Sequence, residues 1–191
     1  EEMNPGGYAG DFIYQDRASV MLVCINGCHT DMIYGCIVNY YLTEPVFFEG
    51  TSQLVLGIDR ICETVGAPVR TVEPRFLGSL GEGQYRQLSM KQVQMKMCDA
   101  AEYIIPYASK AKEVVIVQVL FRRNSTIQGR MHCTYGGKRY VSFRSALELM
   151  RMLEEIGANL QGKERTKLTV FADPGAPVLH LLCTSSRPVN V

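Results

Sequence analysis

The stretch IQGRMHCTYGGKRYVSFRSALELMRMLEEI, residues 127–156, has in order the patterns of a hairpin, whose second strand is short, and of an amphipathic helix. Strand-favouring residues on both sides of Gly136-Gly137 predict the hairpin, with strands at 127–135 and 138–142, because this dipeptide favours the turns that join antiparallel strands. Apolar residues spaced three and four apart over 143–157 predict the helix, since that spacing gathers them on one face. The expected inner residues are Leu147, Leu149, Met150, Leu153 and Ile156.

A similar pattern occurs earlier, at residues 33–61 (IYGCIVNYYLTEPVFFEGTSQLVLGIDRI). The two stretches align with one extra residue in the second, and strands at 19–26 and 114–121 precede them in matching places. The aligned pairs are Ile33–Ile127, Gly35–Gly129, Ile37–Met131, Tyr41–Tyr135, Val46–Val141, Phe48–Phe143, Leu54–Leu149, Ile58–Leu153 and Ile61–Ile156. We therefore predict an α+β fold of duplicated ββα units (hairpin, short strand, helix) in a pseudo-twofold relation, with a mainly antiparallel sheet, because one such unit alone buries its apolar face poorly.

The rest of the chain is divided by turn and helix-capping residues. In the first unit the hairpin partner covers 32–42, a short strand covers 45–48, and Thr51 is expected to cap a helix that ends near Gly66. Gly and Pro residues predict a loop over 67–88, followed by a helix over 89–105. The expected organisation is a leader (1–17), a first unit (18–66), a linker loop and helix (67–113), a second unit (114–160), and a C-terminal hairpin and tail (161–191). The last hairpin is predicted to pair 166–172 with 177–183.

The composition is that of a globular protein, with 47% hydrophobic and 20% charged residues in 191. No apolar run is long enough to cross a bilayer, and no signal peptide is recognised, so we expect no membrane association. The seven cysteines are odd in number and irregularly spaced. Reduced thiols and a cytoplasmic location are therefore expected.

Opposite charges separate along the chain. Residues 1–66 contain nine acidic and two basic residues, a net charge of −7, whereas residues 110–151 contain nine basic and two acidic residues, a net charge of +7. Such units could meet within one chain or dock head to tail between chains, or they could be two solvated surfaces that never meet.

Four residues are weak candidates for a metal site: Cys24, Cys28, His29 and Cys36. Thiolates and imidazole suit zinc or an iron–sulfur cluster, but the C-x₃-C-H-x₆-C spacing is not that of a zinc knuckle. No nucleophile elbow, phosphate loop or dinucleotide fingerprint is found. We therefore predict no cofactor and no catalytic residues, and enzymatic activity is uncertain.

The second unit is basic, and its cations lie among tyrosines. The candidate residues for binding a ligand or partner are Arg122, Arg123, Asn124, Arg130, Lys138, Arg139 and Arg144. Arginines and tyrosines on one sheet face can bind single-stranded nucleic acid by phosphate contact and stacking, although strand alternation splits these residues between two faces. The Asn124-x-Thr126-x-x-Gly129 pattern beside two arginines also resembles, loosely, the cyclic di-GMP element of PilZ domains.

Residues 116–156 resemble a group of small uncharacterised proteins of Clostridia (Firmicutes). Those proteins have a strand, an Arg-Gln-Asn turn, a Trp-Gln-Gly strand, and a Phe-Arg-Ser-x-Leu-Glu-Leu sequence that begins a helix. The matching residues are Phe121, Arg122, Asn124, Gln128, Gly129, Phe143, Arg144, Ser145, Leu147, Glu148 and Leu149, while Arg123 and Ile127 replace the usual Gln and Trp. The group has no established function, so the resemblance implies only a bacterial, cytosolic protein.

These observations favour a non-catalytic protein-interaction or self-assembly protein of a bacterial cytosol, whose oppositely charged units contact a second copy or another protein. A nucleic-acid-binding or (cyclic) nucleotide-binding module is the first alternative. A cysteine-dependent or metal-dependent enzyme is the second.

Overall fold

The structure, a computed structural model, describes residues 17–89, 100–137 and 139–160. It has an α+β fold in which six strands form one open antiparallel sheet. The strands are β1 (Val20–His29), β2 (Met32–Asn39), β3 (Val46–Glu49), β4 (Glu113–Phe121), β5 (Gln128–His132) and β6 (Val141–Phe143). The helices are α1 (Thr51–Val65), α2 (Ser79–Ser89), α3 (Ile105–Ala108) and α4 (Ala146–Leu160), and a π-helical turn (Ala100–Ile104) leads into α3.

The strand order is β3-β2-β1-β4-β5-β6, so β1 and β4 meet at the centre of the sheet and β3 and β6 lie at its edges. We call β1–β3 with α1 the first half, and β4–β6 with α4 the second half. In each half the strands follow one another outward from the centre and lead into a 15-residue helix. The observed order is the one that two ββα units would form, whereas the duplication itself stays a prediction.

A glycine facing a phenylalanine occurs at the corresponding place in both halves. Gly35 pairs with Phe48, and Gly129 pairs with Phe143. A Cβ atom at Gly35 would lie 1.9 Å from the carbonyl oxygen of Cys24, and one at Gly129 would lie 2.0 Å from that of Gln118. Only glycine permits this close approach of neighbouring strands, which explains why the aligned stretches share it.

The two long helices pack side by side on one face of the sheet. Each presents a glycine to β2, since a Cβ at Gly57 would meet Ile37 and one at Gly157 would meet Ile33. The predicted inner residues of α1 are confirmed as buried, namely Leu54, Ile58 and Ile61. Those of α4 are confirmed at Leu149, Leu153 and Ile156, but Leu147 is exposed because it lies in the first turn, on the side away from the sheet.

The start of α1 differs from the prediction. Gly50, not Thr51, occupies the N-cap position, with φ at +84° and no side-chain cap. The chain turns sharply from β3 into the helix there, which favours glycine. Thr51 already lies in the helix, and its hydroxyl donates a hydrogen bond to Glu154 of α4 instead. The predicted stop is confirmed, since Gly66 is left-handed and its N–H bonds to the last turn.

The predicted loop over 67–88 was wrong in its second part, because α2 begins at Ser79. Glycines at positions 81 and 83 disfavour a helix by about 1 kcal/mol each, which led to the interpretation as a loop. Tertiary contacts of Tyr85 and the Glu82–Arg86 ion pair offset that cost. Residues 90–99 of the predicted helix over 89–105 lie outside the described residues, and its end is found as the π-helical turn Ala100–Ile104 that leads into α3.

The predicted strands are found with changed ends. β1 continues to His29, and the second hairpin has shorter strands than predicted, joined by residues 133–140, with Gly137 at φ +75°. The leader up to residue 16 and the C-terminal hairpin after residue 160 lie outside the described residues. In the described part of the chain, no helix is long and apolar enough to cross a membrane.

Candidate functional site at the junction of the two halves

A buried ion-pair network joins the two halves. Asp59 and Glu63 are four residues apart on α1 and therefore lie on one side of it. Arg122 follows β4 directly, and its Nη2 donates to Asp59 Oδ1 at 2.8 Å while its Nη1 donates to Glu63 Oε2 at 3.0 Å. The side chains of Arg122 and Glu63 are each only 6% exposed. Part of the charge difference between the halves is thus neutralised within the chain.

The loop after α1 and helix α2 complete this network. Tyr85 of α2 donates its hydroxyl proton to Asp59 Oδ2 at 2.6 Å and accepts a hydrogen bond from Arg122 Nη2 at 2.8 Å. Arg70 forms ion pairs with Glu63 and with Glu73. The backbone takes part too, since the N–H of Thr71 donates to the carbonyl oxygen of Arg122 at 3.0 Å.

The network changes the ionisation of its members. Burial would lower the pKa of the Arg122 guanidinium, but the Asp59 carboxylate together with the neighbouring Cys62 and Tyr85 outweighs burial, so the pKa lies above its usual value. Burial, followed by the hydrogen bond to Asp59, raises the pKa of the Tyr85 hydroxyl. Under the network, burial raises the pKa of the Cys62 thiol to about 12. Arg122 therefore stays charged and Tyr85 stays a neutral donor at ordinary pH.

Arg122 was predicted to bind a ligand, and its surroundings point to another role. Its guanidinium is engaged by two carboxylates, by Tyr85 and by the carbonyl oxygen of Pro68 at 3.5 Å. Removing one member of a buried, hydrogen-bonded ion pair typically costs about 3–5 kcal/mol. Arg122 therefore connects the end of β4 to α1, and its charge, already paired with two carboxylates, is not available to a bound anion.

A cavity of about 190 Å³ opens beside the network, and its walls are mostly apolar. The apolar lining residues are Val55, Leu56, Val72, Pro74, Ile127 and Ala146. Leu56 and Val72 also belong to a set of large apolar side chains on and near α2 that are exposed to solvent. We call this set the α2 surface: Leu56, Val69, Val72, Phe76, Leu77 and Leu80. Phe76 packs against Tyr85, with ring centroids 5.4 Å apart, so the network holds this surface in place.

The other predicted binding residues do not form one cluster. Arg144 is paired with Glu148 at 2.8 Å, and this contact and hydrogen bond raise its pKa. Asn124 is exposed in the turn after β4, where it adopts a left-handed conformation. Arg139 is exposed, and Lys138 lies outside the described residues.

Arg130 and Arg123, in contrast, each lie over an aromatic ring. The guanidinium carbon of Arg130 is 4.7 Å from the centre of the Tyr140 ring, and that of Arg123 is 4.6 Å from the centre of the Phe121 ring. Arg130 is held further by a 2.8 Å hydrogen bond from its Nε to Gln118 Oε1. The ring of His132 lies 5.3 Å from that of Tyr140.

The four metal candidates are divided between the two faces of the sheet. Cys24 and Cys36 are paired directly across β1 and β2 and are buried. Their mutual contact raises the pKa of the Cys24 thiol and lowers that of Cys36. A bulge between Ile25 and Gly27 turns Cys28 toward the helices, while His29 is exposed at the strand end. No group of three or more His, Cys, Asp or Glu side chains that could hold a metal ion occurs among the described residues.

Sequence reasoning missed most of the network. Asp59, Glu63, Arg70 and Tyr85 were not singled out, because their partners are distant in sequence; Asp59 and Arg122 are 63 residues apart. One signal was present, since two carboxylates four residues apart flank the apolar face of α1. Comparison of the chain with family models, with curated proteins and with solved structures gave no match, so the site is interpreted from its own geometry.

Proposed function

We propose that this protein is a non-catalytic interaction protein that associates with a second copy of itself through the α2 surface. The observation that carries the proposal is the exposure of six large apolar side chains, two of which, Leu56 and Val72, also line the cavity. Leu77 is fully exposed and Leu80 is 77% exposed. Contiguous apolar surface of this kind is typical of protein-interaction sites, because its burial on association is favourable.

The exposed side of α2 is uncharged, which favours a second copy as the partner. Leu80, Gly83, Gln84 and Gln87 are three or four residues apart, so they lie on one side of the helix. Glu82 and Arg86 lie on another side, where Arg86 donates a hydrogen bond to Glu82 at 2.6 Å. A twofold contact places the same surface of each copy against the other, and an uncharged surface can meet itself without repulsion between like charges. Gly83 supports close approach, since no atom lies within 4 Å of the place where its Cβ would be.

The opposite charges of the two halves favour a head-to-tail contact between copies. This support is weaker than the support that the α2 surface gives to a twofold contact. Asp59 and Glu63 of the first half are already paired with Arg122 of the second. Glu154 and Glu155 of α4 also reduce the positive charge of the second half. Head-to-tail docking remains a prediction, and its dependence on salt distinguishes it from apolar association.

Substitutions on the exposed side of α2 test the proposal directly. The molar mass in solution, measured by light scattering over a range of protein concentrations, is expected to rise from monomer to dimer. Gln84→Glu should weaken the dimer, because it places two carboxylates close together at the twofold contact, and high salt should restore part of the association. Leu80→Glu should abolish association, while the control Leu147→Glu, at an exposed leucine of α4, should not.

Two results would contradict the proposal. One is a monomeric mass at every concentration. The other is a dimer that Leu80→Glu leaves intact. Circular dichroism of each variant separates loss of association from loss of the helix.

A further inference from the structure

We infer that single-stranded nucleic acid binds the outer part of the sheet face opposite the long helices, over β5, β6 and the end of β4 at Phe121, a function separate from self-association. The inference rests on two arginine–aromatic stacks on the same side of the same three strands. One stack is Arg130 on Tyr140, and the other is Arg123 on Phe121.

The strand register places these rings on one face. Ile37 contacts α1 at Gly57, so its side chain faces the long helices. Residues paired directly across strands, and residues two apart on one strand, share a face. Val23, Val115, Val117 and Met131 therefore face the helices as well. Side chains alternate along a strand, so Arg130 and His132 project from the opposite face. Arg130 pairs with Gln118 on one side and with Ser142 on the other. Tyr140 lies next to His132 on this second face.

A bulge in β4 adds Phe121 to the same face. The register shifts between Val119 and Phe121, so that Val119 pairs with Gly129 while Phe121 pairs with Gln128. Without the extra residue, alternation would direct Phe121 toward the helices. Instead it lies beside Gln128, and it is 47% exposed. Bulges commonly redirect a side chain in this way at functional positions.

The charge of the surface suits a polyanion. Residues 114–147 contain no Asp or Glu, against five Arg and one Lys. Two of these arginines are neutralised, Arg122 by the network and Arg144 by Glu148. No described carboxylate lies within ion-pair distance of Arg123, Arg130 or Arg139. These three cations are available for phosphate contacts.

The spacing of the rings favours a single strand. Gln128 and His132 are four positions apart on β5, so the rows holding Phe121 and Tyr140 are about 13 Å apart. Two bases of one extended strand can stack on the two arginine–aromatic pairs, whose guanidinium groups also offer N–H donors to the phosphate between the bases. A duplex has no free base faces to offer. The exposed hydroxyl of Ser142 and the ring of His132 add hydrogen-bonding groups between the stacks.

The test is a titration of fluorescently labelled oligo(dT) and oligo(U), with a duplex of equal length as a comparison, at about 50 mM salt and above. Arg130→Gln and Arg123→Gln should each weaken binding and lower the slope of log affinity against log salt by about 0.7 for each lost phosphate contact. Tyr140→Leu should weaken binding about ten-fold while the slope stays the same, and Tyr140→Phe should keep the affinity. The matched control is Arg60→Gln, an exposed arginine on α1 that removes the same charge far from this face.

Three outcomes would overturn the inference. The first is the absence of binding to both oligonucleotides at low salt. The second is an equal loss of affinity in Arg60→Gln and Arg130→Gln, which would indicate general electrostatic attraction without a specific binding site. The third is preference for the duplex. Because Tyr140 is half-buried, its variants are checked by thermal unfolding, and the exposed Arg123→Gln keeps the test decisive if Tyr140→Leu does not fold.

Discussion

The turn that follows the central strand has the same left-handed backbone conformation in both halves, but different side chains. Thr30 and Asp31 form the turn between β1 and β2 with φ of 47° and 64°, and Asn124 and Ser125 lie in the turn between β4 and β5 with φ of 55° and 56°. Two residues before these turns stand Cys28 and Arg122, respectively. Arg122 joins β4 to α1 and leaves a cavity of about 190 Å³, whereas the cavity beside Cys28 measures about 530 Å³.

The same backbone conformation therefore supports an ion-pair network at one turn and leaves an open cavity at the other. The larger cavity contains Glu154 of α4, in the place that corresponds to Asp59 in the smaller one. A carboxylate is thus present at both ends, but an arginine at only one. The four predictions below test how far the halves are equivalent.

The largest effect is expected at Arg122. Arg122→Met should lower the free energy of unfolding by about 3–5 kcal/mol, because two carboxylates lose their buried cation. Adding Asp59→Asn and Glu63→Gln should recover part of the loss. Chemical denaturation measures each variant, with the exposed Arg123→Met as control. A loss no greater than that of the control would show that the network does not hold the halves together.

The strand glycines should respond alike in the two halves. Gly35→Ala and Gly129→Ala should each destabilise by about 2–3 kcal/mol, since the new methyl group overlaps a carbonyl oxygen of the neighbouring strand. Gly83→Ala, with open space around it in α2, should instead stabilise by up to about 1 kcal/mol. Denaturation midpoints of the three variants give the comparison. Unequal losses at the two strand positions would break the equivalence of the halves.

The pH dependence of stability tests the buried thiol of α1. The pKa of Cys62 is raised from 9.0 to about 12, so between these values the thiol loses its proton only when the chain unfolds. Its contribution is complete below pH 9 and is lost as the pH rises toward 12, by up to about 1.4 kcal/mol per pH unit. Cys62→Ala should flatten the alkaline decline relative to the original chain. If stability declines equally with rising pH in Cys62→Ala and in the original chain, the Cys62 thiol is not the cause of the decline.

The smallest effect is expected at the two turns. Thr30 is β-branched and left-handed, a combination that costs energy, whereas asparagine tolerates that conformation. Thr30→Asn should therefore stabilise by about 0.5–1 kcal/mol, and the reciprocal Asn124→Thr should destabilise by a similar amount. Thermal unfolding of the two variants checks the signs. Changes of the same sign would mean that the turns are not equivalent.

Local patterns were sufficient to predict much of the fold. The strand at 114–121 was recognised because strand-favouring side chains recur without interruption, and it is found as Glu113–Phe121. The inner faces of α1 and α4 were recognised because residues three and four apart share one side of a helix. Both signals depend only on neighbours in sequence, so they remain readable without the tertiary structure.

Local patterns failed where partners are remote or where a single residue shifts the register. Helix α2 contains two glycines, and its contacts with Asp59 and Arg122 cannot be read from residues 79–89 alone. The bulge before Phe121 decides which face carries that ring, and alternation by itself predicts the wrong one. Arg122 was predicted to bind a ligand or partner, and only its neighbours in the folded chain show that it lies in the buried ion-pair network.

The sequence by itself determined the α+β class, the order of the strands along the chain and the apolar faces of the long helices, because periodicity encodes which side of an element is buried. Only the tertiary structure decided which charges pair at the junction, which rings share a sheet face and which apolar side chains stay exposed in the α2 surface. These outcomes depend on contacts between residues tens of positions apart, and hydrophobic periodicity carries no information about such distances.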